Sequence, residues 1–514
     1  MMGIDSEALA ASQLAAMRAR LYAPSMVEMI ARYAAASPHR LCVADPDEHM
    51  TYGEFYERIK RKARALRAMG VRAGDRVMAT AGQRGDYLAL QFAVHLAGGV
   101  FVPVDRGIPE ERVEEIRRVT GAKLMLRSTR LQEMEQAGAQ TPAEREDEWS
   151  FPREDAAATI LYTTGTTGTS KGIELSHRAE VAVAQNVFYG VEMEEDTVEM
   201  IPMPVSHSYG LRHCFGLLLG GRGIVLCDGV AMAEDFFDLM DRYMVNALSL
   251  TPAAVGVLLH LTGERLALYA PRLRYLQLGT AGVDATMKER MRRMLPSSRL
   301  YQYYSSTEAG CACIFDYRHD RSPRRVGKPA VNSRFAIVDE FGQVIDSSPE
   351  RWGFIACAGP MNMTRYCGEP ELTARTVVDG FVRSQDIGYI DEEGYLCFVC
   401  RAGDVINTAG YKVAPEEVEA AAMRYGGIRE CACSGVADDL LGQVPKLYIV
   451  PEDADAFDLA GLTEHLRAQL ESYKRPRQIE LIYAVPRNRL GKVQRNLCEQ
   501  AQRLIRASDG KGGE

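Results

Sequence analysis

The sequence has no apolar run of the length that crosses a bilayer as a helix, about 20 residues, so membrane-spanning helices are excluded at the outset. Its first residues, Met1-Met2-Gly3-Ile4-Asp5-Ser6-Glu7, lack the basic-then-apolar order of a secretory signal. N-myristoylation at Gly3 is excluded because Glu7 stands where Ser or Thr is required. Positive charge is not in excess either. With 61 Lys and Arg against 69 Asp and Glu the net charge is −8, which argues against a general nucleic-acid binder. Internal repeats and long low-complexity segments are absent. These absences leave a cytoplasmic enzyme, monomer or homodimer, as the expectation.

Paired metal-binding cysteines are also lacking. The one CxxC, Cys397-Phe-Val-Cys400, has no second pair, so zinc is not expected there. Cys311 and Cys313, like Cys431 and Cys433, alternate at strand spacing and read as reduced core thiols.

At 514 residues the chain exceeds one ordinary core, and two or more domains are expected. Residues 7 to 37 read as helical, ended by Ser37-Pro38. Tyr52 to Met69 reads as a helix whose basic residues, including Lys60 and Lys62, form a solvated face. Strands and helices then alternate, which predicts mostly parallel sheets covered by helices. Three strand ends carry small and polar residues: Thr163 to Thr169, Gly279-Thr-Ala-Gly282 and Ser305-Ser-Thr-Glu308. Open α/β sheets bind ligands at such ends. From about Phe335 short strands with Gly and Asp turns predict a β-rich subdomain. After Arg401 the pattern predicts a small α+β domain with a last helix from about Val493 to Ile505.

The stretch Thr159-Ile-Leu-Tyr-Thr-Thr-Gly-Thr-Thr-Gly-Thr-Ser-Lys-Gly172 runs from a buried strand into a Thr/Gly loop and a lysine. Glycines turn backbone N–H groups inward, hydroxyls add donors and Lys171 adds a point charge, a device for holding a polyphosphate. It is not a Walker A loop, because two of the three Gly-Lys-Ser/Thr positions fail.

Taken in order, these motifs resemble those of the adenylate-forming superfamily, which includes acyl-CoA synthetases, peptide-synthetase adenylation domains and luciferases. The resemblance runs from Thr51-Tyr52 to Lys492. It implies a large N-terminal domain (1–400) of mostly parallel βα sheets plus a β-rich subdomain, a hinge (401–404) and a small mobile α+β domain (405–514). By resemblance Thr163, Thr164, Gly165, Thr166, Thr167, Gly168 and Lys171 bind the β- and γ-phosphates of ATP, with Ser170 where proline is commonest. Tyr304 stacks on adenine, Thr307 meets the α-phosphate and Glu308 holds Mg²⁺; Ser305 replaces the usual glycine. Gly279 and Ala281 belong to the strip between adenine and the acyl pocket. Asp386 and Arg401 contact the ribose, and Asn488-Arg-Leu-Gly-Lys492 carries the catalytic lysine.

Pro204-Val-Ser-His207-Ser-Tyr-Gly210 resembles the acyl-CoA synthetase motif, which puts His207 between the acyl pocket and the pantetheine tunnel and Tyr209 in that pocket. The Phe-Asp pair that amino-acid-activating domains carry at this position is missing. Thr408-Ala-Gly410-Tyr411-Lys412 resembles the loop lining the tunnel for coenzyme A. Only 22 residues (514 − 492) follow Lys492, so a freestanding enzyme is expected. The pivot is expected at Gly403, with Asp404 the alternative. Arg212 and His213 are expected at a domain surface, with contact to a polar substrate tail the other reading. The expectation is ATP-dependent activation of a carboxylic acid and transfer to coenzyme A. A carrier-protein ligase and a catalytically silent nucleotide-binding paralogue are the alternatives. The acid is left open among fatty, aryl, dicarboxylic and steroid-like classes.

Overall fold

The structure is a computed structural model that describes residues 6–80, 82–127, 134, 149–162, 171–322, 324–487 and 492–504, with side chains from residue 13 onward. The chain divides into two compact units. The first comprises Met1–Ser322, Val326–Ala336 and Ala356–Ser384; the second comprises Pro323–Arg325, Ile337–Ile355 and Gln385–Glu514.

The first unit holds two open sheets. In the larger, the strands follow the order Gly310–Asp316, Arg299–Ser306, Tyr275–Leu278, Ala247–Leu250, Val198–Ile201, Gly223–Leu226, Leu41–Ala44, His49–Thr51. All neighbours are parallel except at the two edges. The strands Gly223–Leu226, Ala247–Leu250 and Tyr275–Leu278 are buried throughout, in keeping with their mostly apolar sequences. The second sheet runs Arg365–Tyr366, Gly172–Ser176, Ala157–Tyr162, Val100–Val104, Arg76–Thr80, Leu124–Leu126, and is parallel in its last four strands. Helix Gly85–Leu96 is buried on every side, as its nearly continuous apolar sequence requires.

Local sequence signals fix many of the boundaries. Ser176 accepts from Ala179 N and caps His177–Gly190. Thr51 and Glu54 form a capping box before Tyr52–Ala68. Thr251 caps Pro252–Thr262, with Pro252 in its first turn. The run expected as one helix over 7–37 is two, Ser6–Arg20 and Met26–Ala36. Pro24 disfavours helix at the residue before it, and Ser25 starts the second helix as its N-cap. The basic face of Tyr52–Ala68 also differs from expectation. Lys62 is 1% exposed, its Nζ 2.8 Å from Asp86 Oδ2, so helix-on-helix packing has absorbed a charge that reads as solvated.

From Arg325 to Arg401 short strands dominate, as expected. Asp339 accepts from the N–H groups of Phe341 and Gln343, and Asp391 from those of Glu393 and Tyr395, so the Asp side chains build the turns. Beyond Arg401 the second unit has a long antiparallel pair, Ile428–Asp438 with Gly442–Pro451. Helices Pro415–Ala422 and Leu459–Gln469 bury Val418, Ala421, Leu462 and Leu466 in a cluster with Leu447 and Ile449. The last helix expected over 493–505 is a short 3₁₀ segment, Arg495–Gln500. The chain must then extend for Arg503 to pair with Ile482. The thiols of Cys397 and Cys400 are free and buried in one strand, like Cys311 and Cys313 in another; Cys431 is half-buried. Among the described residues no helix is long and apolar enough to cross a membrane.

Candidate active site

In the first unit three adjacent parallel strands share a register: Leu250 and Leu278, the last residues of their strands, pair with each other, and Leu278 pairs with Gln302, from which the third strand runs on to Ser306. Thr251 and Gly279 therefore leave the sheet at neighbouring strand ends, and the third strand carries Ser305 and Ser306, then Thr307 and Glu308, beyond the same edge. A β-bulge separates Tyr304 from Ser305, at the position where serine replaces the expected glycine. Tyr304 and Ala281 are both half-buried.

The segment after the bulge is pinned from helix Ser208–Gly220. Arg212 donates to the carbonyls of Ser306 and Thr307, at 2.9 Å each. Ser208 Oγ lies 3.3 Å from Thr307 Oγ1. Arg212 is thus neither at a surface nor available to a substrate tail; it is 2% exposed and spends its guanidinium on backbone. His213 is fully buried too. Its Nδ1 lies 2.8 Å from Glu199 Oε1, and Tyr275 donates to Glu199 Oε2 at 2.6 Å. Burial works to raise the Glu199 carboxyl, but the His213 charge and the surrounding hydrogen bonds outweigh it and hold the group below its ordinary value. Both surface and substrate readings fail for this pair, because polar residues within an amphipathic-looking turn can pair inside a core.

Glu308 accepts from the Tyr366 hydroxyl at 3.0 Å, and the Lys171 ammonium stands 5.6 Å from the centre of the Tyr366 ring. Burial, reinforced by the Glu308 charge, pushes the Tyr366 phenol up, so it stays a donor at neutral pH. Tyr366 carries no motif signal in the sequence, and only the fold joins it to Glu308 and Lys171. Residues Thr163 to Ser170 lie outside the described residues. Glu308 suits a hard cation such as Mg²⁺, which takes one or two carboxylates plus substrate phosphates. Its carboxylate is oriented by Tyr366 at one oxygen, and the loop lysine stands beside that tyrosine.

His207 caps helix Ser208–Gly220 in extended conformation, its Nε2 3.0 Å from Asp105 Oδ2. Tyr209 is buried and packs on Gly279: a Cβ there would sit 2.4 Å from the tyrosine ring, which is why the position is glycine. Thr280 follows at φ 70°, a left-handed turn that carries the strip away from the strand. Tyr209 stands edge-on to Tyr303 and His213.

In the second unit Asp386 and Arg401 are direct partners of an antiparallel pair, with Arg401 Nε 3.2 Å from Asp386 Oδ1. Asp386 is 7% exposed, so its carboxylate is held by that pairing. Ala409 and Gly410, at φ 47° and 85°, form a two-residue turn between Thr408 and Tyr411. Tyr411 is exposed and stacks on Tyr473 at 4.6 Å, beside exposed Lys412. Arg487 bridges Val493, the residue next to Lys492, and residues 488–491 lie outside the described residues. Gly403 sits in a one-turn 3₁₀ segment, Ala402–Asp404, inside this unit.

Contacts thus join Lys171, Glu308, Thr307, Tyr209 and Gly279 through Tyr366, Ser208 and the helix that His207 caps. Asp386 pairs separately with Arg401. Residues 30–367 match the model of the AMP-binding enzyme family, and residues 417–492 that of the AMP-binding enzyme C-terminal domain. A feruloyl-CoA synthase of Amycolatopsis sp. is 30% identical over 478 residues, covering 90% of this chain and 96% of that protein. A fatty acid–[acyl-carrier-protein] ligase of Streptomyces coeruleorubidus is 26% identical, covering 93% and 96%. The crystal structure of ATP-bound MatB from Rhodopseudomonas palustris superposes with a TM-score of 0.82 at 26% identity, covering 92% of this chain and 98% of that one. The chain belongs to the adenylate-forming superfamily, as an AMP-binding enzyme with its C-terminal domain.

Proposed function

We propose that the protein is an AMP-forming acid–CoA ligase: it joins a carboxylic acid to ATP as acyl-AMP with release of pyrophosphate, then passes the acyl group to coenzyme A. One observation carries this reading. The helix capped by His207, expected to wall the acid, touches Thr307, expected at the α-phosphate, through Ser208 at 3.3 Å. A carboxylate lying along that wall is within reach of the phosphorus it must attack.

The residue roles follow from charge. A carboxylate approaching a triphosphate meets repulsion, and cations must neutralise the pyrophosphate as it leaves. Lys171 and the loop from Thr163 to Gly168 hold the β- and γ-phosphates, and Thr307 orients the α-phosphate. Tyr304 stacks on adenine beside Gly279 and Ala281. Asp386 accepts from the ribose hydroxyls while Arg401 fixes its carboxylate. Glu308, aimed by Tyr366, would hold Mg²⁺, whose charge would offset that of the phosphates. Lys492 supplies a cation during adenylation only. Residues 401–404 then act as a hinge, with Gly410, Tyr411 and Lys412 lining the path of pantetheine. Tyr209, packed on Gly279, stands at the strip expected to border the acid. The similarity to feruloyl-CoA synthase supports a CoA acceptor; that to a carrier-protein ligase supports a second reading in which a carrier thiol takes the acyl group.

The test is pyrophosphate release on mixing ATP with a library of carboxylic acids, followed by product analysis with CoA and with acyl carrier protein. In Lys492→Ala, adenylation should fall by orders of magnitude while supplied acyl-adenylate is still converted to thioester. Equal loss in both steps, or no pyrophosphate with any acid, overturns the reading.

A further inference from the structure

Behind the strand that leads to the phosphate loop lies a polar cluster with no part in the proposed reaction. His95 ends helix Gly85–Leu96, and His177 and Glu180 share the first turn of His177–Gly190. The three are 0%, 2% and 1% exposed. Each offers one ligand atom, and these lie within 4.8 Å of one another; no other such group occurs among the described residues.

The hydrogen bonds show which atoms are left over. His95 Nε2 lies 2.9 Å from the carbonyl of Ala158. A carbonyl only accepts, so Nε2 carries the hydrogen, and Nδ1 of the neutral ring presents a lone pair. Thr159 donates to Glu180 Oε1 at 2.7 Å, which fixes the carboxylate and leaves Oε2. His95 Nδ1, His177 Nδ1 and Glu180 Oε2 have no hydrogen-bond partner among the described residues. The first and last of these are 3.9 Å apart. Orphaned polar atoms in a core cost free energy singly, and here three share one place.

We propose that His95, His177 and Glu180 form a buried structural site for one divalent transition-metal ion of the zinc class. Two imidazole nitrogens and a carboxylate oxygen are a zinc-type donor set. Outer contacts of the kind metal sites use are in place: a backbone carbonyl behind His95 and a hydroxyl behind Glu180. Bonds of about 2.0–2.2 Å set tetrahedral donors roughly 3.3–3.6 Å apart, so the widest spacing, 4.8 Å, closes by roughly 1.2–1.5 Å on binding. The ion would tie two helices to strand Ala157–Tyr162 at Thr159, four residues before Thr163. It is an internal brace for the strand that carries the loop.

A closed site loads during folding, so the full-length protein is expressed in zinc-supplemented and in cobalt-supplemented minimal medium. Elemental analysis of the washed protein should find about one ion per chain, and the cobalt form should absorb in the visible as a low-coordinate N/O complex. The variant His95→Gln/Glu180→Gln should lose the ion. Wild-type protein with far less than one ion per chain overturns the proposal even where the variant fails to fold. So does a folded variant that keeps its metal.

Discussion

The Arg495 guanidinium lies 3.0 Å from the Asp404 carboxylate, tying the segment just after Lys492 to the residue beside Gly403. It also reaches Glu416 at 3.0 Å and Glu419 at 2.9 Å, with its side chain only 13% exposed. Three carboxyl groups around one planar donor fork are a geometry lysine cannot copy. Arg495→Lys should therefore fold yet hold Lys492 loosely. We expect adenylation to fall by about 10- to 100-fold, the scale of an ångström's misplacement. Conversion of supplied acyl-adenylate should change several-fold less. Rapid-quench assays of the two steps check this, and equal losses would reduce Arg495 to a general stabiliser.

Asp386 is 7% exposed and pairs with Arg401, so its loss leaves a guanidinium without its carboxylate and, on the role proposed above, the ribose without an acceptor. Charge-assisted hydrogen bonds of this kind contribute roughly 1.5–3 kcal/mol each. Asp386→Asn should raise the KM for ATP by about 10- to 100-fold, with smaller change in the KM for the acid. Unchanged ATP affinity would remove Asp386 from the nucleotide site.

Tyr366 donates to Glu308 at 3.0 Å. Removing only the hydroxyl in Tyr366→Phe should free the carboxylate to rotate and weaken cation binding by roughly one neutral-to-charged hydrogen bond, about 1.5–3 kcal/mol. The Mg²⁺ concentration for half-maximal adenylation should rise by at least tenfold. An unaltered Mg²⁺ titration would mean that Tyr366 serves packing alone.

Glu416 lies in the same acidic ring as Arg495. Burial pushes its carboxyl from 4.5 up to about 8; Arg495 pulls the other way, while Glu419 and Asp404 add to the rise. Its Oε2 is buried with no hydrogen-bond partner among the described residues. Between pH 4.5 and about 8 the folded chain keeps a proton that the unfolded chain has released. The unfolded state binds fewer protons there, so stability falls as pH rises. This contribution is full below 4.5 and gone above about 8. Glu416→Gln should lose that dependence. Relative to wild type it should gain on the order of 1–3 kcal/mol between pH 5 and 9. Denaturant titrations across that range check the slope, and parallel curves would refute the assignment.

How much of this was legible in the sequence depended on the range of the interaction. The alternation of elements, the caps at Ser176 and Thr251, and the Asp turns at Asp339 and Asp391 follow from residues within a few positions of each other. The pairing of Asp386 with Arg401 was within reach of strand logic, although their motifs had to be recognised by resemblance. Arg212, His213 and Lys62 were misplaced because their partners, Thr307, Glu199 and Asp86, are distant in sequence. A charged residue reads as exposed until the fold supplies its counterion or acceptor. Tyr366 was missed for the same reason, since nothing local distinguishes it from a core tyrosine.

The last prediction concerns the pivot. Gly403 lies in a single 3₁₀ turn, and a Cβ added there would meet nothing within 4 Å. Asp404 is held by Arg495. A rotation that keeps Lys492 with its own supports must therefore occur before Asp404, which favours Gly403 over its neighbour. The movement would also have to part Ala414 from the buried cluster of Val399 and Cys400, and Arg324 from Glu417, now 3.7 Å apart. Gly403→Ala puts a methyl into open space and should leave both half-reactions within about twofold, since such exposed changes are usually small. Gly403→Pro fixes φ near −65° and removes a backbone donor. It should hold the chain in whichever conformation tolerates that angle, so pyrophosphate release and acyl-CoA formation should fall unequally, by at least tenfold in one of them. Both steps are measured on protein shown by circular dichroism to be folded. Wild-type rates in Gly403→Pro for both steps would place the pivot elsewhere.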